Sequence, residues 1–230
     1  TISTKIGRIL QVEDGTIPPT FDYTPEAIEQ SLAGSFERLG TDHVDIVHVH
    51  DPDNHMDEVI AVTLPRLRAM QAEGRIGAVS AGMNHSAPLA RFVRAGLVAC
   101  VLVAGRWTLL DQTAANDLLP AAAEHGVSVI AAGVFNTGVL ADPDADPRLV
   151  NFRYRPVPAD VMERVRAIRE VCADHGVSLR AAALQFPFTH PSVATVCIGC
   201  RSPSAGNVSA ASCACLRPGR SRLPRASGTG

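Results

Sequence analysis

The chain has 230 residues, enough for one large domain or two small ones. Its hydrophobic share of 46% and charged share of 19% are typical of a globular protein, and a net charge of −2 gives no reason to expect nucleic acid or an anionic membrane as a partner. No apolar run approaches the roughly 18 residues of a membrane span. The six cysteines are too sparse for a disulfide scaffold, so we expect a cytoplasmic protein.

Apolar segments alternate along the chain with segments of helical character. The predicted strands cover residues 1–6, 43–49, 76–82, 97–105, 127–134 and 193–199. The predicted helices cover residues 24–40, 56–74, 86–96, 112–126, 158–176 and 178–188. Thr24 and Gly40 suit the N-cap and the stop of the first helix. Ser86 suits the cap of the third helix, and Pro65 predicts a kink in the second.

The predicted strands are apolar throughout rather than alternating, which indicates a parallel sheet covered on both faces. A (β/α)8 barrel has eight strands in about 250 residues. Six units in about 200 residues therefore predict an α/β fold: a (β/α)8 TIM barrel that is incomplete because two of its βα units are absent. A doubly wound sheet is the alternative, but no G-x-G-x-x-G turn follows any predicted strand.

Polar and aromatic residues follow the predicted strands at their carboxyl ends, where ligands bind in either fold. Any one of them is compatible with ordinary solvation or helix capping, but the set together predicts a binding site at one edge of the sheet. Lys5 is also the only lysine in the chain. The strand-end residues are Lys5, His48, His50, Asn84, Trp107, Phe135, Arg201 and Ser202.

The segments "STKIGR", "ERLGTDHVDIVHVHDPD", "AGRWTLLDQ", "AALQFPFTHPSV" and "GCRS" resemble the aldo-keto reductase superfamily over residues 1–203. The resemblance is strongest to its aldose or L-fucose dehydrogenase and pyridoxal 4-dehydrogenase branch. It implies a (β/α)8 fold, NADP or NAD as cofactor, and a small sugar or aldehyde as substrate. The sequence does not indicate an oligomeric state.

The family places a Tyr, a Lys, a His and an Asp around the reacting oxygen. Lys5 matches the family lysine and His50 the histidine, so both are predicted to be catalytic. A compact cation that shifts the pKa of a phenol cannot be exchanged freely for arginine, which accounts for the single lysine. His48 lies two residues earlier on the same face and is interpreted as a packing histidine. Trp107 is predicted to line the mouth of the pocket.

The same resemblance assigns a cofactor side. Asn84 matches the residue that holds the nicotinamide carboxamide, and Arg201 and Ser202 match the position that binds an adenosine phosphate. An arginine there favours NADP without deciding it. Phe135 is the candidate to stack on the nicotinamide, although a comparison without gaps places the family aromatic residue at Ala132.

Two parts of the family pattern are missing. The catalytic Tyr and Asp belong to the two absent units, and neither Tyr23 nor Tyr154 lies in a matching motif. Residues 204–230 contain no Asp, Glu or Lys and lack periodicity, which is typical of a disordered tail or of a frameshifted reading. We therefore expect an N-terminally truncated chain, frameshifted after about residue 203, that is inactive by itself.

Two other functions remain open at this stage. His48 and His50 also resemble the H-x-H strand end of metal-dependent hydrolases, where Asp51, His55 or His85 would have to supply further ligands. The other strand ends offer too few ligands, and we predict no metal site. A non-catalytic protein that retains nicotinamide binding is the other alternative.

Overall fold

The computed structural model describes residues 1–9, 20–141, 152 and 155–200. Its strands are β1 (Ser3–Ile6), β2 (Arg8–Ile9), β3 (Thr20–Phe21), β4 (Val44–His50), β5 (Ile76–Met83), β6 (Cys100–Ala104), β7 (Ser128–Ala132) and β8 (Val193–Cys197). Its α-helices are α1 (Pro25–Leu39), α2 (Met56–Glu58), α3 (Leu64–Ala72), α4 (Ser86–Arg94), α5 (Leu118–His125), α6 (Ala159–Asp174) and α7 (Leu179–Gln185). The predicted tail, residues 204–230, lies outside the described residues.

Six strands form one parallel sheet in the order β1-β4-β5-β6-β7-β8. The six predicted strands and their parallel arrangement are confirmed. Their order follows the chain without reversing, as in successive units of a (β/α)8 barrel, whereas a doubly wound sheet reverses its order. Among the described residues the sheet is open, with β1 and β8 at its edges.

The limits of α1 follow from local signals that the sequence already carries. The Thr24 hydroxyl accepts a hydrogen bond from the Ala27 amide at 3.4 Å, and Pro25 opens the first turn. Gly40 ends the helix at φ 64°, a left-handed conformation that glycine adopts without a Cβ clash. Both predicted ends of this helix are confirmed.

The second predicted helix is interrupted in front of Pro65. A π-helical segment, Val59–Thr63, separates α2 from α3, and Pro65 lies in the first turn of α3. Proline has no N–H to donate to the preceding turn and its ring displaces the carbonyl four residues earlier, so the regular ladder breaks there. The predicted kink is confirmed as a π-helical turn.

Two local features differ from the sequence analysis. The predicted Ser86 cap is wrong: His85 occupies the N-cap position of α4, while Ser86 is the first helical residue and donates its hydroxyl to Asp117 Oδ2 at 3.0 Å. The sequence analysis also missed the antiparallel pair β2–β3. Strands of two residues are too short to show any period.

The hydrophobic core lies between the sheet and its helices. In the central strands β4, β5 and β6 consecutive residues on both faces are buried, which is why these strands read as apolar throughout. A smaller cluster packs α6 and α7 against the segment after β7. None of the described helices is long and apolar enough to cross a bilayer. The strand residues in the main core include Val47, Val49, Val79, Ala81, Val101, Val103, Val129 and Ala131.

Two leucines provide a matched test of this core. Leu67 in α3 is fully buried, whereas Leu39 at the end of α1 is 48% exposed. We expect Leu67→Ala to lower the free energy of unfolding by about 2–5 kcal/mol, because it leaves a cavity, and Leu39→Ala to change it by less than about 0.5 kcal/mol. Urea unfolding followed by circular dichroism measures both. Equal losses would contradict this location of the core.

Candidate functional site

A row of polar residues crosses the sheet on the face opposite the helices. In register, Lys5 lies beside His48, His48 beside Ser80, Ser80 beside Cys100, and Cys100 beside Ser128. Paired residues of neighbouring strands point to the same face, and the residues between them along each strand belong to the core. The face away from the helices therefore carries this row of polar residues.

His48 is almost completely buried, at 1% exposure. Its Nδ1 lies 2.8 Å from Ser80 Oγ, while its Nε2 has no hydrogen-bond partner among the described residues. Burial lowers its pKa to about 4, and the nearby charge of Lys5 acts in the same direction. The packing histidine is thus buried and neutral, with one nitrogen satisfied and the other free.

His50 ends β4 one step nearer the carboxyl edge of the sheet. Its Nε2 lies 3.6 Å from Asp51 Oδ2, and the two side chains are 24% and 26% exposed. Burial lowers the pKa of His50 and raises that of Asp51, so for both groups the cost of desolvation exceeds their mutual attraction. Lys5 and Arg8 further lower the pKa of His50. A neutral imidazole with one face in solvent results.

Lys5 is exposed on β1 and makes no hydrogen bond or ion pair with any described residue. Its strand pairs directly with β4, which places it two residues below His50 in register on the same face. The expectation that these two residues lie on neighbouring strand ends matches this pairing. The ammonium group is therefore available to an anionic or oxygen-rich ligand.

Amide groups lie at the ends of two further strands. Asn84 directly follows β5, is partly buried, and makes no side-chain hydrogen bond with any described residue. Asn136 is 7% exposed, and its Oδ1 has no partner among the described residues. Phe135 beside it packs against both hydrophobic clusters. The predicted Arg201 and Ser202 lie outside the described residues.

Trp107 occupies the turn after β6. Its indole Nε1 donates to the Pro187 carbonyl at 3.1 Å, and its ring lies 4.9 Å from that of Phe186. The side chain thus joins this turn to the 3-10 helix Phe186–Thr189. Its role in lining a pocket stays a prediction.

The loops after β4 and β5 are joined by a hydrogen bond between side chains. His85 Nδ1 lies 2.6 Å from Asp53 Oδ1. His50 precedes the first loop and Asn84 opens the second, so this contact fixes the distance between them. The metal-site alternative gains no support: the described residues contain no group of three His, Cys, Asp or Glu side chains able to hold a metal, and His48 Nδ1 is engaged by Ser80.

Sequence reasoning missed three polar residues of this region. Ser80 carried a signal, because it is the one hydroxyl inside an otherwise apolar strand. Asn136 was passed over in favour of the adjacent Phe135. Tyr23 was set aside for lack of a motif, yet its hydroxyl contacts the backbone of His50 and Asp51.

A family model and similar proteins of known activity agree on one family. Residues 1–216 match the model of the "Aldo/keto reductase family". A D-threo-aldose 1-dehydrogenase from Pseudomonas sp is 37% identical over 88% of this chain and 67% of its own length. A pyridoxal 4-dehydrogenase from Microbacterium luteolum is 32% identical over 88% of this chain and 68% of its own length. The chain thus spans about two thirds of these relatives.

Solved structures show the same fold. The holo form of an aldo-keto reductase from Bacillus halodurans superposes with a TM-score of 0.74 at 21% identity, over 95% of this chain and 68% of that one. A glycerol dehydrogenase from Gluconobacter oxydans superposes with a TM-score of 0.71 at 20% identity, over 91% of this chain and 65% of that one. At these identities the similarity establishes the fold alone.

The lowered pKa of His48 predicts a pH-dependent stability. The folded pKa of about 4 lies below the ordinary value of 6.5, so the unfolded chain binds the proton preferentially between these values. The contribution of His48 to the free energy of unfolding is therefore fully present above pH 6.5. About 2–3 kcal/mol of it is lost as the pH drops toward 4. Urea unfolding at several pH values measures this.

Substitution variants separate this contribution from other acid effects. His48→Gln removes the titrating group, so we expect a shallower loss of stability between pH 6.5 and 4 than in the native chain. His175→Gln, at an exposed position after α6, should keep the native slope. Identical slopes in the native chain and in His48→Gln would contradict the burial of a neutral imidazole.

Proposed function

The chain belongs to the aldo/keto reductase family, and we propose that it serves NAD(P)-dependent hydride transfer between a nicotinamide cofactor and an aldose or another small aldehyde or alcohol. The observation that carries the proposal is the position of Lys5 and His50 near the carboxyl ends of two adjacent parallel strands, β1 and β4. Similarity to a D-threo-aldose 1-dehydrogenase and a pyridoxal 4-dehydrogenase supports this substrate class.

We infer that His50 and Lys5 act on the reacting oxygen of the substrate. The neutral, half-buried imidazole of His50 can donate a hydrogen bond to a carbonyl or accept one from a hydroxyl. The exposed Lys5 ammonium stabilises negative charge that develops on that oxygen. A bound nicotinamide supplies the hydride acceptor or donor.

Cofactor binding is proposed for two amide side chains and for the two residues predicted to bind an adenosine phosphate. A nicotinamide carboxamide needs both donors and acceptors. The side chain of Asn84 and the Oδ1 of Asn136, which have no hydrogen-bond partner among the described residues, fit that need. We propose that Phe135 packs against the nicotinamide and that Arg201 and Ser202 bind an adenosine phosphate. NADP and NAD are both compatible with this set.

A reduced turnover is part of the proposal. Of the two tyrosines in the 230 residues, Tyr23 is 1% exposed and donates its hydroxyl to backbone carbonyls, and burial raises the pKa of its phenol. It is therefore not available as a proton donor to substrate. Tyr154 lies outside the described residues and in no matching motif.

Cofactor binding is the primary test. We expect NADPH or NADH to bind the 230-residue chain with enhanced nicotinamide fluorescence, and Asn84→Ala to weaken binding about tenfold through loss of its hydrogen bonds. Asn116→Ala, at an exposed position in the 3-10 helix Thr113–Asn116, is the matched control and should bind normally. Absence of binding by the native chain would refute the proposal.

Turnover distinguishes an impaired enzyme from a non-catalytic binder. With NADP or NAD and a panel of aldoses, we expect a kcat at least about a hundredfold below the usual value of about 10 s⁻¹. Lys5→Met and His50→Gln should abolish this residual rate while cofactor binding persists. A rate unaffected by either substitution would exclude the assigned roles, and no rate above background would leave nicotinamide binding as the function.

A further inference from the structure

Tyr23 contacts the end of β4 through its hydroxyl. The residue lies two positions after the end of β3, and its side chain is 1% exposed. The phenolic O–H donates to the carbonyl of His50 at 2.7 Å and to that of Asp51 at 3.1 Å. A single donor is thus shared between two consecutive carbonyls, at the point where the chain leaves the sheet.

The backbone at this point adopts an unfavourable conformation. Asp51 has φ 46°, in the left-handed region that is unfavourable for a residue with a Cβ. Its amide donates to the Gly82 carbonyl of β5 at 2.9 Å, while its carbonyl faces the Tyr23 hydroxyl. Hydrogen bonds on both sides of Asp51 therefore hold the turn that presents His50.

The ring of Tyr23 contacts the end of β1. Gly7 follows that strand at φ 100°, and a Cβ there would lie 2.3 Å from Tyr23 Cε1, so the ring lies directly on the glycine. The Asp22 amide donates to the Gly7 carbonyl at 2.8 Å, which fixes the two segments together. Gly7 is two residues from Lys5, so the ring packs next to the lysine strand.

The position of Tyr23 itself is held from two other sides. The Thr63 hydroxyl, in the π-helical segment, donates to the Tyr23 carbonyl at 2.8 Å. The ring stacks on Phe21 with centroids 6.1 Å apart and contacts His55 at 5.1 Å. Because the side chain cannot shift, the strand ends that it touches are fixed relative to each other.

We propose that Tyr23 is the positioning residue that orients the His50 end of β4 against the end of β1, two strands whose separation is already set by their pairing. The ring packs on Gly7 after β1, and the hydroxyl holds the turn after β4. A residue that only filled the core would need the ring but not the hydroxyl, since phenylalanine would fill the same space. The catalytic roles of Lys5 and His50 rest on the proposed function, whereas the contacts of Tyr23 do not.

Tyr23→Phe tests the hydroxyl, because it keeps the ring and removes the two hydrogen bonds. We expect the Asp51 amide to exchange with deuterium about tenfold faster, since the turn opens more readily. The pKa of His50 should rise toward its ordinary value as water gains access, with Asp51 favouring and Lys5 and Arg8 opposing the charged form. NMR titration of the ring, assigned with His50→Gln, measures this.

Tyr23→Leu tests the ring, and the single lysine provides the probe. Reductive methylation with 13C-formaldehyde labels the Lys5 amine and the N-terminal amine alone. We expect the Lys5 methyl signal to shift in Tyr23→Leu and to stay unchanged in Tyr23→Phe, because only the first variant removes the contact with Gly7.

Ser178→Ala is the control for a general loss of stability. The Ser178 hydroxyl caps α7 by accepting from the Ala181 amide at 3.2 Å, so its removal destabilises the fold at a place far from β1 and β4 in the sequence. Native-like exchange at Asp51 and native titration of His50 in Tyr23→Phe would overturn the proposal, as would the same changes in Ser178→Ala. If Tyr23→Leu does not fold, Tyr23→Phe decides alone. None of these measurements depends on turnover or cofactor, so their outcome is separate from that of the proposed function.

Discussion

The parallel pairing of β1 with β4 is the constraint on which the rest of the site depends. It places Lys5 beside His48 and leaves His50 one step nearer the carboxyl edge, on the face that the helices do not cover. A shift by one residue would turn these side chains toward the helices, because neighbours in a strand alternate between faces. The full burial of Val47 and Val49 on the other face opposes that shift, since the apolar area would then be exposed.

Burial, rather than ion pairing, determines the charge state of the two histidines in β4. For His48, desolvation and the charge of Lys5 act together, and the ring is held neutral against Ser80. For His50, the carboxylate of Asp51 opposes desolvation without overcoming it. The strand end therefore combines a neutral imidazole with an exposed ammonium group, which suits an oxygen atom that gains negative charge during a reaction.

The strand ends are held in place by contacts from elements distant in the chain. The pair β2–β3 brings Tyr23 onto the turn after β4, and the π-helical segment in front of Pro65 supplies the hydroxyl of Thr63 that holds it. The hydrogen bond between His85 and Asp53 joins the loops after β4 and β5. One face of the sheet thus packs against the core, and the loops at its carboxyl edge are held together by hydrogen bonds.

The sequence by itself determined the six strands of the parallel sheet and most of the helices, and it predicts the carboxyl edge of that sheet as the site. Apolar runs, Pro25 and Gly40 act on their own neighbourhood, and the resemblance around Lys5 and His50 identified the family. Only the tertiary structure decided which groups meet. Ser80 binds His48 across 32 residues of chain, and the Tyr23 hydroxyl reaches a carbonyl 28 residues away. Such contacts depend on which strands are neighbours and in which register, and no local pattern of residues encodes either.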